Sequence, residues 1–216
     1  QRQMCIRDRS GLVIGRYVVT WQDSSGHDGG SGTDIRGQLF SSAGAPIGEE
    51  FRLNTYTSNT QDKPSVAGLS DGGFVVTWQS NNQPGDSSNA GIYAQRYDAN
   101  GSTDGGEFQV NTNVNRDEMY PEEAGYGRSN FVVTWYDEDR DSGDIYAQNF
   151  NILGDPLGSE YRVNTTTYNT QGNPSVTTLE DDSYVITWHS RYQDTGSSDY
   201  GVYGQHLSLI HISEPT

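Results

Sequence analysis

Residues 72–101 of the chain read GGFVVTWQSNNQPGDSSNAGIYAQRYDANG, and the rest of the sequence is largely made of further copies of this stretch. It predicts two strands that are joined by a polar loop and followed by a tight turn. All four tryptophans occupy the same V-[VI]-T-W slot and lie 57, 57 and 53 residues apart: Trp21, Trp78, Trp135 and Trp188. A fixed period of this size indicates a repeat architecture.

Each repeat contains four segments with strand character. In the cleanest copy they are residues 64–69 (PSVAGL), 74–79 (FVVTWQ), 92–97 (IYAQRY) and 107–112 (EFQVNT). The second segment is apolar on both faces, so it needs a packed layer on each side. Four short strands per roughly 50 residues are typical of a β-propeller blade. We therefore predict an all-β, propeller-like fold of tandem four-stranded repeats; a β-sandwich made of paired repeats is the alternative.

The repeats divide the chain into four units. We assign residues 10–60 to a partial first unit that lacks its innermost strand, 61–117 to the second, 118–170 to the third and 171–206 to a truncated fourth. Closed propellers usually need four to eight blades. We therefore expect an open, partial propeller whose exposed edges the remaining repeats of a longer parent chain would cover.

The two ends, residues 1–9 (QRQMCIRDR) and 207–216 (LSLIHISEPT), depart from the repeat composition. They resemble translated adapters of sequencing libraries, and we expect them to be artefacts. Setting them aside removes Cys5, the only cysteine, so neither a disulfide nor thiol chemistry is expected. The chain is interpreted as an internal slice of a longer protein.

The composition excludes several classes of partner. A net charge of −16 argues against nucleic acid and anionic lipid, because both require a basic surface. No apolar run approaches the roughly 18 residues of a membrane span, so we expect no membrane insertion. Only 31% of the residues are hydrophobic, but 14 Tyr, 6 Phe and 4 Trp supply enough apolar area for a core.

The repeats GGFVVTWQS, IYAQRYDANG and EFQVNT resemble those of very large secreted bacterial surface proteins, among them RTX-type, adhesin-like ones. The resemblance covers residues 11–206. It implies an extracellular or cell-surface location and a non-enzymatic binding or spacer role, with a glycan or a surface protein as ligand. The calcium repeat G-G-x-G-x-D of such proteins is absent from this sequence, so the resemblance does not imply calcium dependence.

The best candidate metal site is the acidic loop at residues 137–144, DEDRDSGD. Alternating carboxylates followed by small residues can wrap oxygen ligands around Ca²⁺. The predicted ligands are four aspartates: Asp137, Asp139, Asp141 and Asp144. The loop departs from the D-x-D-x-D-G pattern, because Ser142 takes the glycine position. The alternative is a solvated acidic loop in which Arg140 reduces the repulsion between the carboxylates.

The third unit differs from its siblings in its first strand, where Glu122 and Glu123 introduce carboxylates. Glu123 stands where the other copies have Val66 and Val176. A carboxylate in an otherwise apolar slot costs free energy unless it is paired or hydrated. The first strand of a propeller blade lines the central channel, so both glutamates are candidate ligand-binding residues. An ion pair or a drifted repeat is the alternative.

The aromatic residues divide into two groups. We expect the four tryptophans to form core between blades, because they lie in interior strands. The better candidates for glycan contact are three tyrosines of the third strands: Tyr93, Tyr146 and Tyr203. The repeated glutamines of these strands are expected to satisfy backbone groups.

Catalytic signatures are missing from the sequence. It contains neither G-x-S-x-G nor H-E-x-x-H, and the residues before Trp78 do not match the sialidase-type box S-x-D-x-G-x-x-W. We therefore predict that the protein is not an enzyme but a binding or spacer module. The alternative is a propeller-type enzyme or lectin that acts on polysaccharide.

Overall fold

The computed structural model describes residues 6–12, 15–26, 32–128, 130–138, 143–193 and 200–208, which form strands and loops. The strands are, in chain order, β1 (Ile6–Gly11), β2 (Tyr17–Asp23), β3 (Asp34–Phe40), β4 (Pro46–Arg52), β5 (Gln61–Gly68), β6 (Phe74–Asn81), β7 (Ala90–Tyr97), β8 (Phe108–Gln109), β9 (Asp117–Tyr126), β10 (Asn130–Glu138), β11 (Gly143–Phe150), β12 (Tyr161–Arg162), β13 (Gln171–Thr178), β14 (Tyr184–Arg191) and β15 (Tyr200–Leu207). Within the described ranges, no helix could cross a membrane.

The strands form four antiparallel sheets, which we call blades 1 to 4: β1–β4, β5–β8, β9–β12 and β13–β15. The first strand of each blade contacts the first strand of the next, from β1 to β5, β9 and β13. The sheets therefore stack in series around a row of inner strands. This confirms the all-β, propeller-like prediction and excludes the paired sandwich.

Three apolar clusters hold the blades together, and each combines residues of two adjacent blades. Trp78 of blade 2 packs with Ile35 of blade 1, and Trp135 of blade 3 belongs to a cluster with Ile92 of blade 2. Both indoles are almost fully buried. Trp188 belongs in the same way to the cluster of blades 3 and 4, so three of the four tryptophans form core between blades, as the sequence indicated, whereas Trp21 belongs to none of the three clusters of the described residues.

The structure differs from the sequence prediction in the first unit. We expected this unit to lack its inner strand, but β1 pairs with β2 and completes a four-stranded blade. Part of β1 lies in the segment assigned to the artefactual end. The Asp8 carboxylate accepts a 2.8 Å hydrogen bond from the Val66 amide, and the Ser10 hydroxyl accepts one of 2.8 Å from the Gly68 amide. These contacts place the segment against the next inner strand.

The inner strands approach so closely that only glycine fits at one level. A Cβ atom on Gly125 would lie 2.6 Å from the carbonyl oxygen of Gly68. We expect Gly125→Ala to destabilise the protein by about 1–3 kcal/mol, because the backbones of blades 2 and 3 must separate. Urea denaturation measures the loss. Gly106→Ala is the control, since its Cβ would meet nothing within 4 Å, and an equal loss there would contradict the explanation.

Candidate functional site

We call the end of the blades at which β5, β9 and β13 begin the mouth. At this end Glu118, the second residue of β9, is fully buried. Among the described residues, neither oxygen of its carboxyl group has a hydrogen-bond partner. A buried polar group without a partner costs free energy, so its presence requires an explanation.

The sibling blades carry glutamine at the same register. Glu118 pairs across the sheet with Asp137, whereas Gln61 pairs with Ser80 and Gln171 pairs with Ser190. Both glutamine amides donate to carbonyls of the preceding loop, at 2.9 Å in blade 2 and 3.3 Å in blade 4. Blade 3 therefore replaces a satisfied amide with an unpartnered acid.

The surroundings of Glu118 favour its protonated form. Burial is the main cause that raises its pKa to about 9, and the carboxylates of Asp137 and Asp86 raise it further. A carboxyl group with this pKa carries its proton at neutral pH. The guanidinium of Arg116 pairs with Asp137 at 3.1 Å.

A polar cavity of about 480 Å³ opens between blades 2 and 3 at the start of β9; Asp117 lines it, whereas Glu118 is not among the lining residues. We call it the blade 2–3 cavity. Its walls are the β6–β7 loop at residues 87–89, residues 115–117 at the start of β9, and Glu138. The loop is fastened to blade 3, since the amide of Asn89 donates to Asp117 at 2.8 Å. Asp117 and Glu138 thus bring two carboxylates to the cavity wall.

A second cavity, of about 270 Å³, lies between blades 3 and 4. We call it the blade 3–4 cavity. Its walls include Tyr120, Tyr136, Asn173 and His189, and it shares Glu138 with the first cavity. The two cavities therefore meet at this glutamate and form one acidic, aromatic surface at the mouth.

The two glutamates predicted from the sequence lie elsewhere. Glu123 is buried between blades 2 and 3, where its carboxylate accepts a hydrogen bond from the hydroxyl of Thr77. Burial raises the pKa of Glu123 well above its ordinary value, and the bond from Thr77 opposes this shift. Glu122 is partly buried opposite Thr134 on β10. Neither glutamate is among the residues that line the two cavities.

The raised pKa of Glu123 makes a pH dependence of stability testable. Above about pH 4.5 the unfolded state ionises while the folded state keeps the proton, so stability falls as the pH rises toward the folded pKa. We expect Glu123→Gln to melt higher than the wild type, and the difference in stability to grow as the pH rises above about 4.5 toward the folded pKa (about 1.4 kcal/mol per pH unit at most). The exposed Glu49→Gln is the control in calorimetry, and a gap independent of pH would contradict the assignment.

The three predicted tyrosines lie in the body of the blades, directly opposite the tryptophans of the second strands. They are Tyr93, Tyr146 and Tyr203. Tyr93 is buried, and the other two are partly buried. None is among the residues that line the two cavities, so their role in glycan contact stays a prediction.

The predicted calcium loop is described only at its two ends. Asp139 and Asp141 lie outside the described residues. Asp137 accepts a hydrogen bond from Arg116, and Asp144 accepts one of 2.6 Å from Asn164. In the part of the chain that the structure describes, no group of three or more acidic, histidine or cysteine side chains could hold a metal ion. Calcium stays a prediction.

Sequence reasoning missed Glu118, although an alignment of the loops between blades contains the signal. The loops read TYTSNTQ at residues 55–61, TTTYNTQ at 165–171 and TNVNRDE at 112–118. The last position is glutamine in two copies and Glu118 in the third. What the alignment does not contain is the burial of this position.

No protein-family model matches the chain, and no curated protein matches it. Several solved structures share its fold. The α-L-arabinofuranosidase of Fusarium graminearum, in complex with arabinobiose, is 16% identical, with a TM-score of 0.64 over 94% of this chain and 62% of the enzyme. A Hadza microbial sialidase is 11% identical, with a TM-score of 0.64 over 94% and 44% of the two chains. The endo-arabinase of Bacteroides thetaiotaomicron is 14% identical, with a TM-score of 0.53 over 94% and 75%.

These comparisons overturn the prediction of a non-enzymatic binding or spacer module. That prediction depended on the absence of catalytic motifs, whereas the structures that share this fold are named as enzymes that act on glycans. The prediction that the protein is not an enzyme is therefore wrong. At identities of 11 to 16%, the likeness itself shows the fold alone.

Proposed function

We propose that this chain is part of a propeller-type enzyme that hydrolyses polysaccharide, with Glu118 as its proton donor. The observation that carries the proposal is the buried, unpartnered carboxyl group at a register where the sibling blades have satisfied glutamines. The neighbouring folds support the substrate class, since one of them holds arabinobiose and others are named for arabinan and sialic acid chemistry.

Hydrolysis of a glycosidic bond requires two carboxyl groups in different protonation states. A protonated acid gives its proton to the leaving oxygen as the bond to the anomeric carbon breaks. An ionised carboxylate takes a proton from water as the water oxygen bonds to that carbon. Environments that push two pKa values apart mark such a pair. Glu118 supplies the acid, and Asp117 and Glu138 on the cavity wall supply the carboxylates for the second role.

Glu118 is covered in this structure, so the substrate must first displace part of the wall. The amide of Ser87 in the β6–β7 loop donates to the carbonyl of Val114 at 3.0 Å, and the hydrogen bond between Asn89 and Asp117 is a further contact that closes this loop over the start of β9. In this proposal, the sugar hydroxyls replace these bonds as the loop moves outward, and the scissile oxygen then reaches the carboxyl group of Glu118. Loop closures of this kind commonly exclude water during catalysis.

The proposal is tested by the release of reducing sugar from arabinan, xylan and arabinobiose, and of sialic acid from a sialoside. We expect the purified chain to hydrolyse at least one of them, and the Glu118→Gln variant to lose that activity. The absence of turnover on the whole panel would contradict the proposal.

An extracellular or cell-surface location and a calcium ion at residues 137–144 are part of the same proposal. A polysaccharide substrate and the resemblance of the repeats support the location.

Melting in CaCl₂ and in EDTA tests the ion: calcium at this loop would raise Tm in the wild type and less so in Asp144→Asn. Identical Tm values in the two buffers would remove calcium from the proposal.

A further inference from the structure

The inner strands of blades 2, 3 and 4 share a bulge at the mouth. The pairing of each with its second strand shifts register once at the same place. The residue before the proline at this place has a positive φ in all three strands: 50° at Lys63, 57° at Tyr120 and 49° at Asn173. We call these residues the bulge triad. They lie side by side, since the Nζ atom of Lys63 is 4.4 Å from the ring centroid of Tyr120, and Tyr120 and Asn173 line one cavity.

The backbone alone does not explain a tyrosine at this position. Left-handed φ values are costly for side chains other than glycine, asparagine and aspartate. Asn173 shows which residue the repeated bulge accepts at low cost. Burial does not explain the tyrosine either, because Tyr120 is 39% exposed. A strained, exposed aromatic residue in a cavity points to a ligand.

The blade 3–4 cavity provides the complementary groups. The rings of Tyr120 and Tyr136 meet at 55° with centroids 6.4 Å apart, which forms an aromatic corner. Asn173 adds an amide that can both donate and accept hydrogen bonds. Burial lowers the pKa of His189, so its ring is neutral at neutral pH and also offers one donor and one acceptor. The apolar faces and hydroxyl groups of a sugar ring match this combination.

The charge around the cavity decides the kind of sugar. Glu138 is part of its wall, and Asp117 lies in the adjoining cavity. The whole chain carries a net charge of −16. A carboxylated or sulfated sugar would be repelled by this surface, whereas an uncharged sugar would not. The ammonium group of Lys63 already lies over the ring of Tyr120.

We infer that the bulge triad and Tyr136 form a subsite for an uncharged sugar ring, which stacks on Tyr120. This inference rests on the proposed function, because it assigns a substrate class to the same mouth. Tyr120 is then a specificity-determining residue that contacts the substrate. The ring of Tyr120 contacts the sugar, which explains why a tyrosine occupies this position despite its strained backbone.

The test compares binding and stability in the same variants. The full chain is titrated by calorimetry with neutral arabino-, xylo- and cello-oligosaccharides and with an acidic oligogalacturonate. We expect Tyr120→Asn to weaken binding of the neutral ligand at least tenfold, while its Tm stays equal or rises by about 2 °C because the backbone strain is relieved. Tyr120→Phe is expected to bind as the wild type does, since the ring is kept.

Tyr192→Asn is the matched control. Tyr192 also has a positive φ, of 59°, and is 41% exposed, but it is not among the residues that line the cavity. We expect it to show the same change in Tm with no change in affinity.

Three results would overturn the inference. They are a Tm that falls by several degrees in Tyr120→Asn, an affinity unchanged by that substitution, and an acidic ligand that binds as well as the neutral ones. Failure to bind any of these oligosaccharides would count against it as well. Turnover that depends on Glu118 but not on Tyr120 would leave the proposed function standing without this subsite. Binding that depends on Tyr120 without any turnover would support the subsite and contradict hydrolysis.

Discussion

Glu118→Gln is expected to make the protein more stable and to abolish sugar release at the same time. The substitution restores the residue that Gln61 and Gln171 place at this register. The new amide can donate to the carbonyl of Asn115, which corresponds to the loop carbonyl that Gln61 uses. The variant should therefore fold as its sibling blades do, so a loss of activity could not be attributed to misfolding.

The gain in stability follows from the raised pKa. The pKa of Glu118 is about 9 in the folded state and 4.5 in its ordinary state, so at pH 7 only the unfolded state ionises. Stability is thus lost progressively as the pH rises from about 4.5 to 9. Removing the carboxyl group should recover on the order of 3 kcal/mol at pH 7. Calorimetry should show a rise in Tm of about 5–10 °C at pH 7 and almost none at pH 4.

The loss of activity follows from the missing proton. A positioned general acid typically contributes about 10²–10⁴-fold to the rate, so sugar release should fall by at least 10². Gln171→Glu in blade 4 is the reciprocal control. It places a carboxyl group at the same register of another blade and removes the amide that donates to the carbonyl of Tyr168 at 3.3 Å. It should lower Tm without changing turnover, and an active Glu118→Gln enzyme would refute the assignment.

Trp135→Ala is expected to cost about 3–5 kcal/mol of the free energy of unfolding, the usual loss for a fully buried large aromatic side chain. Trp135 is 1% exposed, and its cluster combines residues from blades 2 and 3. The indole therefore contributes to two sheets at once. Urea denaturation, read from tyrosine and tryptophan fluorescence, measures the change.

Trp21→Ala is the matched control, because Trp21 fills the same V-T-W slot in blade 1. It is buried to a similar degree but belongs to none of the three apolar clusters of the described residues. We expect it to cost clearly less than Trp135→Ala. Equal losses would show that the indoles stabilise their own sheets and not the contacts between blades.

The repeat period was sufficient to predict most of the fold. Short β-branched and aromatic runs with glycine- and asparagine-containing turns specify strands and hairpins locally, as β6 and β7 show. The recurring tryptophans indicated which faces pack together. The strand β1 was missed, because its residues do not follow the repeat and pair only in the presence of β2 and β5.

The sequence by itself thus determined most of the strands, the blades and most of the core between them, since a periodic pattern of side chains directly encodes which faces are buried. The tertiary structure alone decided the candidate site. Burial between blades and neighbouring carboxylates on other segments, such as Asp86, give Glu118 its raised pKa. The bulge brings Tyr120 beside Asn173 of the next blade. Desolvation and proximity depend on residues far apart in the chain, so no local pattern contains them.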